Sequence, residues 1–307
     1  MILRFVVFWL TLCISSLGFS LTELALNWKA EPEFGGFYEA IPLLRNQGIE
    51  LKISEGGSSS PTIQMLGAKQ VPLAIVSGDE LVTARDRGID LVAVFAVYQT
   101  NPQGLMVKET TPFKTIEQLL NAPSMTIGMQ MGLPYVAYLK KKFPNIKARL
   151  VPYQGGIGPF LAQKDYAQQC FVTAEALAAN KAGTKVRTFT LDQVGFNPYL
   201  TVVAVHKDSL LKNKLEITKI VSAFRVGWEN YLKNPIATDK LMNKLNPSMT
   251  LETFSESGKA QLSLIKPTEN FAVGSMTAVR WKTLADQLKD LGLIKVVQNP
   301  DNYFINL

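Results

Sequence analysis

The chain has 307 residues, of which 47% are hydrophobic and 19% charged, and its formal net charge at pH 7 is +7. This composition is typical of a folded protein with a large core and excludes a disordered or fibrous chain. The densest basic cluster, at 140–149, follows an apolar helical pattern and is typical of a solvent-exposed helix face, so we predict no nucleic-acid partner.

The first twenty residues have the layout of a secretory leader. One early cation, Arg4, precedes the apolar run 5–14, and small and polar residues then end at Ser20. The run is shorter than the roughly 20 apolar residues that a spanning helix needs. We therefore predict a signal peptide at 1–20, a mature chain from Leu21 with a net charge of +6, and a periplasmic location. A lipid anchor on Cys13 is the less favoured alternative.

Beyond the leader, short apolar strands alternate with helical segments, starting with the stretch that ends at Trp28. This order predicts an α/β fold with parallel sheets that are covered by helices. Long amphipathic helices are predicted near the C-terminus, at 217–232 and 276–291. The further predicted strands are 51–55, 73–76, 91–97, 125–128, 150–153, 169–172, 186–190 and 200–206.

Two helix starts have recognisable caps. Ser60 followed by Pro61 predicts an N-cap and a proline at the first helical position. Ser77 and Glu80 have the spacing of a capping box. Both predicted helices follow the carboxyl end of a predicted strand.

Turn-rich links at 98–102 and 195–199 indicate two crossings between domains. We expect two α/β lobes with hinges at these crossings: lobe I from 21–99 and 200–307, and lobe II from 100–199. Ligands of such sheets bind beyond the carboxyl ends of the strands, where helix N-termini point.

Several polar residues at strand-to-helix transitions are candidate ligand contacts. Each could simply begin a helix, but their convergence at strand ends would form one cleft. Glu175 is the sharpest candidate: it is either a surface acid that the helix dipole favours or an acceptor for an amine or ring N–H. The set comprises Ser58, Ser59, Ser77, Asp79, Gly132, Tyr135 and Glu175, with Gln99 at the first crossing.

Aromatic residues suggest a flat ligand. Asn27 and Trp28 end the first strand, and the following Gly35-Gly36 would let the backbone approach whatever fills the cleft. Phe37 is expected in the core. The rings predicted to stack on a ligand are Trp28, Tyr38, Tyr135 and Tyr199.

Cysteine and histidine are scarce. The mature chain would keep only Cys170, which we expect to be a buried thiol, and the single histidine is His206. Neither a zinc site nor a Ser-His-Asp triad is indicated. We predict no metal, no cofactor and no catalytic residues.

Four stretches resemble the NMT1/THI5-like solute-binding proteins: "LNWKAEPEFGGFYEA" from Leu26, "VTAEALAANKAG" from Val172, "GSMTAVRWKTLADQLKDLGLIK" from Gly274 and the closing "NYFINL". The resemblance covers nearly the whole mature chain. It implies a type II periplasmic-binding-protein fold that delivers solute to an ABC permease at the inner membrane. Members of that family bind thiamine pyrimidine precursors, sulfonates or riboflavin.

This chain departs from the family pattern at two positions. Phe34 stands where a histidine often precedes the Gly-Phe-Tyr stretch, and Ala176 replaces the proline after Glu175. The family also includes a pyrimidine synthase that consumes its own histidine and carries a cysteine-rich iron motif. One histidine and one mature cysteine do not match that activity.

The favoured interpretation is a monomeric exported protein that closes on a small flat nitrogen heterocycle. The alternatives are binding of a sulfonate- or nitrate-type anion or of riboflavin, a ligand-sensing module, and an enzyme of the same fold. The enzyme would need an activated nucleophile or an acid–base pair, which the sequence does not indicate.

Overall fold

The computed structural model describes residues 20–57 and 60–307. The predicted signal peptide lies outside these residues except for Ser20, as do Cys13 and the candidate ligand contacts Ser58 and Ser59. Predictions about them remain predictions.

Two five-stranded sheets form the framework. The first sheet has the order β2-β1-β3-β10-β4, and the second sheet has the order β7-β6-β8-β5-β9. The strands predicted at 73–76 and 186–190 have the predicted bounds, whereas the strand at 103–108 was not anticipated. In chain order the strands are β1 Ser20–Ala25, β2 Ile49–Ser54, β3 Leu73–Val76, β4 Leu91–Ala96, β5 Gln103–Lys108, β6 Thr126–Met129, β7 Arg149–Pro152, β8 Tyr166–Phe171, β9 Val186–Thr190 and β10 Val202–His206.

The expectation of purely parallel sheets is wrong. β1 runs parallel to β2 and β3, but β10 is antiparallel to both β3 and β4. In the second sheet, β6 is parallel to β7 and β8, while β5 is antiparallel to β8 and β9. The two reversed strands, β5 and β10, are the ones that the chain enters directly after a crossing. Each arrives from the other sheet and therefore runs against its neighbours.

Helices cover both sheets. The two long C-terminal helices are present at Lys214–Lys233 and Ala278–Asp290. No helix within 20–57 and 60–307 is long and apolar enough to cross a membrane. In chain order the helices are α1 Gly35–Arg45, α2 Thr62–Gly67, α3 Gly78–Asp86, α4 Ile116–Leu120, α5 Pro134–Lys142, α6 Gly158–Ala162, α7 Glu175–Lys181, α8 Lys207–Lys212, α9 Lys214–Lys233, α10 Ile236–Leu245, α11 Leu251–Ala260, α12 Leu262–Ile265 and α13 Ala278–Asp290, with short 3₁₀ helices at Pro32–Phe34, Leu191–Val194 and Pro300–Asn302.

The glycine pair at the start of α1 serves helix packing, which corrects the expectation that it faces a ligand. A side chain at Gly35 would collide with the Tyr231 ring, and one at Gly36 would collide with Trp228. On the opposing helix, Gly227 lies against the Gly36 carbonyl. The glycines therefore let α1 and α9 approach closely, and the expected core residue Phe37 is fully buried between them.

One of the two predicted caps is confirmed. Ser77 Oγ accepts from the Glu80 amide (3.4 Å) while Glu80 Oε2 accepts from the Ser77 amide (2.9 Å), so the capping box begins α3. The Ser60 cap is wrong, because α2 begins at Thr62. Ser60 Oγ instead accepts from the Gly57 amide at 2.7 Å and tightens the turn before the helix.

Candidate functional site

The loop after β1 carries the first half of the site. Trp28 is 38% exposed, as expected for a rim residue, and its indole Nε1 donates to Glu31 Oε1 at 3.0 Å. The amide of Gly56 donates to the Trp28 carbonyl at 2.9 Å and fixes the loop to the turn after β2. The Asn246 side chain fixes the same loop, because its Nδ2 donates to the Ala30 carbonyl at 3.1 Å. These contacts hold the Glu31 carboxylate beside an exposed indole.

The second half of the site begins where β8 ends. Glu175 is the first residue of α7, and its Oε2 accepts from the Phe171 amide at 2.8 Å. Its Oε1 accepts from the Tyr153 hydroxyl at 3.1 Å. Glu175 thus closes its own strand-to-helix turn, a role that the sequence did not reveal. Each carboxylate oxygen has two lone pairs, so both oxygens keep one for a further donor.

Three carboxylates converge between the two sheets: Glu31, Glu33 and Glu175. Burial raises the pKa of Glu31 to about 7, and the negative charge of Glu175 raises it further. Burial raises the pKa of Glu33 to about 8, with added repulsion from the other two carboxylates. Burial likewise raises the pKa of Glu175. In the part of the chain that the structure describes, none of the three forms an ion pair within 4 Å, although the charge of Lys29 partly offsets the rise in the Glu31 pKa. The site therefore gains negative charge as the pH rises through 7 and 8.

A buried hydrogen-bond network connects the sheets beside the carboxylates. The Tyr98 hydroxyl donates to Gln261 Oε1 at 2.8 Å, and Gln261 Nε2 donates to the Pro32 carbonyl at 2.9 Å. Thr173, in the turn before α7, also bonds to Tyr98. Burial raises the pKa of Tyr98, and the charge of Glu33 adds to the rise. The network therefore fixes the position of Pro32 between the two site glutamates Glu31 and Glu33.

Two predicted ligand contacts offer polar atoms with no hydrogen-bond partner among the described residues. The Tyr38 side chain is buried, and its hydroxyl makes no hydrogen bond. Burial raises the pKa of that hydroxyl, and the charge of Glu55 raises it further. Asn27 Oδ1 is unpaired too. Because most buried polar atoms are paired, both are available to bond with a ligand.

Ser77 and Asp79 lie instead at the start of α3. The Ser77 hydroxyl is used in the capping box, where it donates to Glu80 Oε2 at 2.9 Å. Asp79 is buried, and burial raises its pKa to about 6. The amide of Gly78 donates to the Tyr199 carbonyl at 2.8 Å, which attaches this turn to the second crossing.

Tyr135 and Tyr199 are core residues, which corrects the expectation that they stack on a ligand. Tyr135 is 2% exposed, and its hydroxyl donates to Gln169 Oε1 at 2.6 Å. Tyr199 is 1% exposed and packs against Trp281, with ring centroids 5.5 Å apart, and against the Arg280 guanidinium at 3.8 Å. Neither ring is free to receive a heterocycle.

Gln99 and Gly132 have local structural roles. Gln99 Nε2 donates to the Ala96 carbonyl at 3.2 Å and to the Ser275 carbonyl at 3.1 Å, so the amide links the first crossing to the C-terminal segment. Gly132 has a φ of +97°, which favours glycine in the turn before α5. Ligand contact by either residue stays a prediction.

Sequence reasoning missed Glu31 and Glu33. Their signal was present in the Glu-Pro-Glu triplet that begins three residues after Trp28, in the loop that follows the first strand. The triplet looked like a polar link because each acid alone is unremarkable. What makes them a site is the approach of Glu175 from the other sheet, which no local pattern encodes.

The described residues contain no group of three or more His, Cys, Asp or Glu side chains that could hold a metal ion. His206 Nδ1 accepts from the Asp208 amide at 3.2 Å and caps α8. Cys170 is a buried free thiol in β8, as expected. Burial raises the pKa of that thiol, which keeps it protonated and unreactive.

The NMT1/THI5-like family model matches residues 32–238, more than half of the chain. A sequence comparison with curated proteins finds no significant match. Solved structures with a similar fold include the periplasmic aliphatic sulphonate binding protein of Escherichia coli, with a TM-score of 0.68 and 14% identity over 94% of this chain and 92% of that one. The alkanesulfonate-binding protein of Xanthomonas axonopodis pv. citri, bound to MOPS, has a TM-score of 0.67 and 10% identity over 94% and 99%.

A third similar structure is the zinc-bound ligand-binding component of an ABC-type import system from Staphylococcus aureus. Its TM-score is 0.67, at 10% identity over 94% of this chain and 97% of that one. Identities this low show a common fold and not a common ligand. The fold matches the two-sheet architecture, and the family model spans the loop with Glu33 as well as the helix with Glu175. The chain therefore belongs to the NMT1/THI5-like family and has the periplasmic-binding-protein fold.

Proposed function

We propose that this chain is an exported, monomeric solute-binding protein that delivers its ligand to an ABC permease at the inner membrane. In this proposal the two sheets and their helices are two lobes, lobe I from 21–99 and 200–307 and lobe II from 100–199. The lobes close over the ligand by bending at the crossings. Family membership supports the class of protein, as do similar structures that are periplasmic binding proteins.

The ligand that the site favours is a small flat nitrogen heterocycle that carries an amine or a positive charge, such as a thiamine pyrimidine precursor. The observation that carries this proposal is the convergence of Glu31, Glu33 and Glu175, none of which forms an ion pair among the described residues. A cation would relieve their mutual repulsion, and the exposed Trp28 ring offers a face for stacking or a cation–π contact. The unpaired Tyr38 hydroxyl and Asn27 oxygen add polar contacts on the lobe I side.

The second candidate ligand is a sulfonate-type anion, because two of the similar structures are sulfonate-binding proteins. The three glutamates oppose this ligand when they are ionised. Protonation would remove that repulsion, and the raised pKa values place it near neutral pH. A sulfonate should therefore bind more tightly at pH 6 than at pH 8.5, whereas a permanent cation should show the opposite trend.

Calorimetric titrations at these two pH values test the ligand class. The probes are an N-methylated aminopyrimidine, whose charge does not change with pH, and an alkanesulfonate. We expect the cation to bind more tightly at pH 8.5 and to release protons, which buffers of different ionisation enthalpy detect. Sulfonate binding that is as tight at pH 8.5 as at pH 6 would contradict the role given to the carboxylates.

Riboflavin binding and a sensing role use the same cleft and are separated by other measurements. Native mass spectrometry of the protein purified from its own host would identify a co-purified ligand by mass. Transport requires a complex with permease subunits, which a sensor would not form. The enzyme alternative requires turnover of that ligand, and quantitative recovery of the intact molecule after incubation would argue against it.

A further inference from the structure

A charged contact bridges the two sheets beside the site. Lys181 Nζ lies 3.4 Å from a carboxylate oxygen of Glu252 and 3.2 Å from one of Glu256, and it donates to Thr253 Oγ1 at 3.1 Å. Two carboxylates and one hydroxyl on α11 thus surround one ammonium at the end of α7. The Lys181 side chain is 25% exposed, but the residue as a whole is exposed and the Glu252 and Glu256 side chains are 77% and 41% exposed, so solvent screens both ion pairs.

The two helices belong to different sheets. Ala176 and Ala179 of α7 pack in the hydrophobic cluster that contains Cys170 of β8, in the second sheet. Phe254 of α11 packs in the cluster that contains Leu24 and other residues of the first sheet. The Lys181 contact therefore joins the two proposed lobes at a place other than the crossings.

Both helices also lead directly to the site. α7 is seven residues long, so its first residue, Glu175, lies about 10 Å along the axis from Lys181. On the other side, Gln261 follows α11 immediately and donates to the carbonyl of Pro32, which stands between Glu31 and Glu33. The contact is thus connected to the acidic residues of both lobes by short rigid elements.

The charges of the site would oppose closure in the absence of a ligand. Glu175 belongs to lobe II, and its charge adds to the burial that raises the pKa values of Glu31 and Glu33 in lobe I. An attraction between the lobes is needed to offset that repulsion, and Lys181 with its two glutamates supplies one. Glu252 and Glu256 are four residues apart and share one face of α11, which allows both to reach the same ammonium.

We propose that Lys181 is a positioning residue, which holds α7 against α11 and thereby sets the distance of Glu175 from Glu31 and Glu33. The proposal rests on the proposed two-lobe function, and it assigns to Lys181 no contact with the ligand. Neutralising the ammonium should open the lobes, speed ligand release and leave the carboxylates of the site in place.

The test measures the distance between the lobes in the protein without ligand. Spin labels are attached at Lys164→Cys in lobe II and Lys240→Cys in lobe I, both exposed positions, and the buried native Cys170 is left unlabelled. Pulsed electron paramagnetic resonance then gives the distribution of open and closed forms. The variants are Lys181→Gln, Lys181→Glu, and the charge swap Lys181→Glu with Glu252→Lys and Glu256→Lys. The matched control is Lys185→Glu, an exposed lysine of lobe II that has no ion-pair partner among the described residues.

We expect Lys181→Gln to raise the ratio of open to closed forms about two- to tenfold, as the loss of two partly exposed ion pairs predicts. Lys181→Glu should raise it further, the charge swap should restore the wild-type distribution, and Lys185→Glu should leave it unchanged. High salt should shift the wild type toward the Lys181→Gln distribution. An unchanged distribution in Lys181→Gln, or failure of the charge swap to restore closure, would overturn the proposal.

The outcome is independent of ligand identity, because the distances are measured without ligand. If the distances respond to Lys181 while no solute binds, the positioning role stands and the proposed function fails. If a solute binds and the distances are the same in the Lys181 variants as in the wild type, the proposed function stands and the positioning role fails.

Discussion

Among the described residues, the parts of the chain that we propose as two lobes are joined by neutral hydrogen bonds at the crossings and by ionic contacts near the site. At the crossings, the guanidinium of Arg280 donates to the carbonyls of Gln99 (2.5 Å), Asn197 (2.7 Å) and Pro198 (2.9 Å), so one side chain on α13 holds both connections. It also lies 3.8 Å from the centre of the Tyr199 ring. Its oxygen partners are neutral backbone groups, together with the Asn197 amide oxygen.

At the site, the contacts between the lobes are ionic. Glu31 and Glu33 repel Glu175, while Lys181 attracts Glu252 and Glu256. Contacts of the first kind are insensitive to salt and moderate pH, whereas contacts of the second kind respond to both. In the proposed two-lobe arrangement, the crossings would fix the path of closure, and the charges at the site would decide how far the lobes close.

The largest effect is expected at Arg280. Arg280→Met removes the hydrogen bonds that the guanidinium donates to the crossings and leaves three backbone carbonyls without that donor, so we expect a loss of about 3 kcal/mol or more in the free energy of unfolding. Urea denaturation measures it. Arg280→Lys keeps a charge without the planar fork and should lose less. If Arg280→Met were as stable as the wild type, the hydrogen bonds at the crossings would not be the strong contacts that distinguish the crossings from the ionic site.

The next effect concerns Glu175. Glu175→Gln is nearly isosteric but removes the charge, so we expect about ten- to a hundredfold weaker binding of an amine-bearing ligand. An anionic ligand should bind as well as before or more tightly. Titration calorimetry gives both values. Glu117→Gln, at an exposed first-turn acid of α4, is the matched control and should change neither. Unchanged binding of every ligand would exclude Glu175 from the site.

A similar but smaller loss is expected at Trp28. Trp28→Ala should weaken binding by about 2 kcal/mol, or roughly thirtyfold, because the indole would stack on the ligand in the closed form. The side chain is 38% exposed without ligand, so the melting temperature of the ligand-free protein should hardly change. A large loss of stability with unchanged affinity would make Trp28 a structural residue.

The sequence predicted local features well and long-range ones poorly. The strand at Leu73–Val76 and the Ser77 capping box follow from neighbouring residues, and both are present. Gly35 was misassigned because its partner, Tyr231, is almost 200 positions away. Tyr135 was misassigned because an aromatic residue at a helix start serves a core as readily as a cleft.

The acidic site was missed for the same reason, because its residues are far apart in the sequence. Glu33 and Glu175 lie in different sheets, and only the crossing geometry brings their charges together. The resemblance to a known family supplied the fold, because that pattern is spread along the whole chain. It did not supply the charge of the cleft: Glu31 and Glu33 lie within the first resembling stretch, but that stretch alone does not show that Glu175 approaches them.

The smallest effect that separates the two regions is the pH dependence of stability without ligand. Burial in the folded protein raises the pKa of Glu31 to about 7 and of Glu33 to about 8, from the ordinary value of 4.5 for a glutamate. The folded protein therefore binds these protons more tightly than the unfolded chain does. The stabilisation is complete below about pH 4.5 and is lost as the pH rises through 7 and 8. We expect the melting temperature to fall by a few degrees between pH 6 and pH 8.5. Each loss of about 1 kcal/mol in the free energy of unfolding lowers the melting temperature by about 2–4 °C in a protein of this size.

The double variant Glu31→Gln with Glu33→Gln isolates this contribution. Burial raises the pKa of Asp79 to about 6, so Asp79 acts in the same direction but completes its change at lower pH. Between pH 7 and 8.5 the double variant should therefore show a clearly flatter profile than the wild type. Arg280→Lys, which changes only the crossings, should keep the wild-type slope at a lower melting temperature. The opposite result would be a slope of melting temperature against pH that changes in Arg280→Lys and stays the same in the double variant. It would place the pH-sensitive contact at the crossings and not at the site.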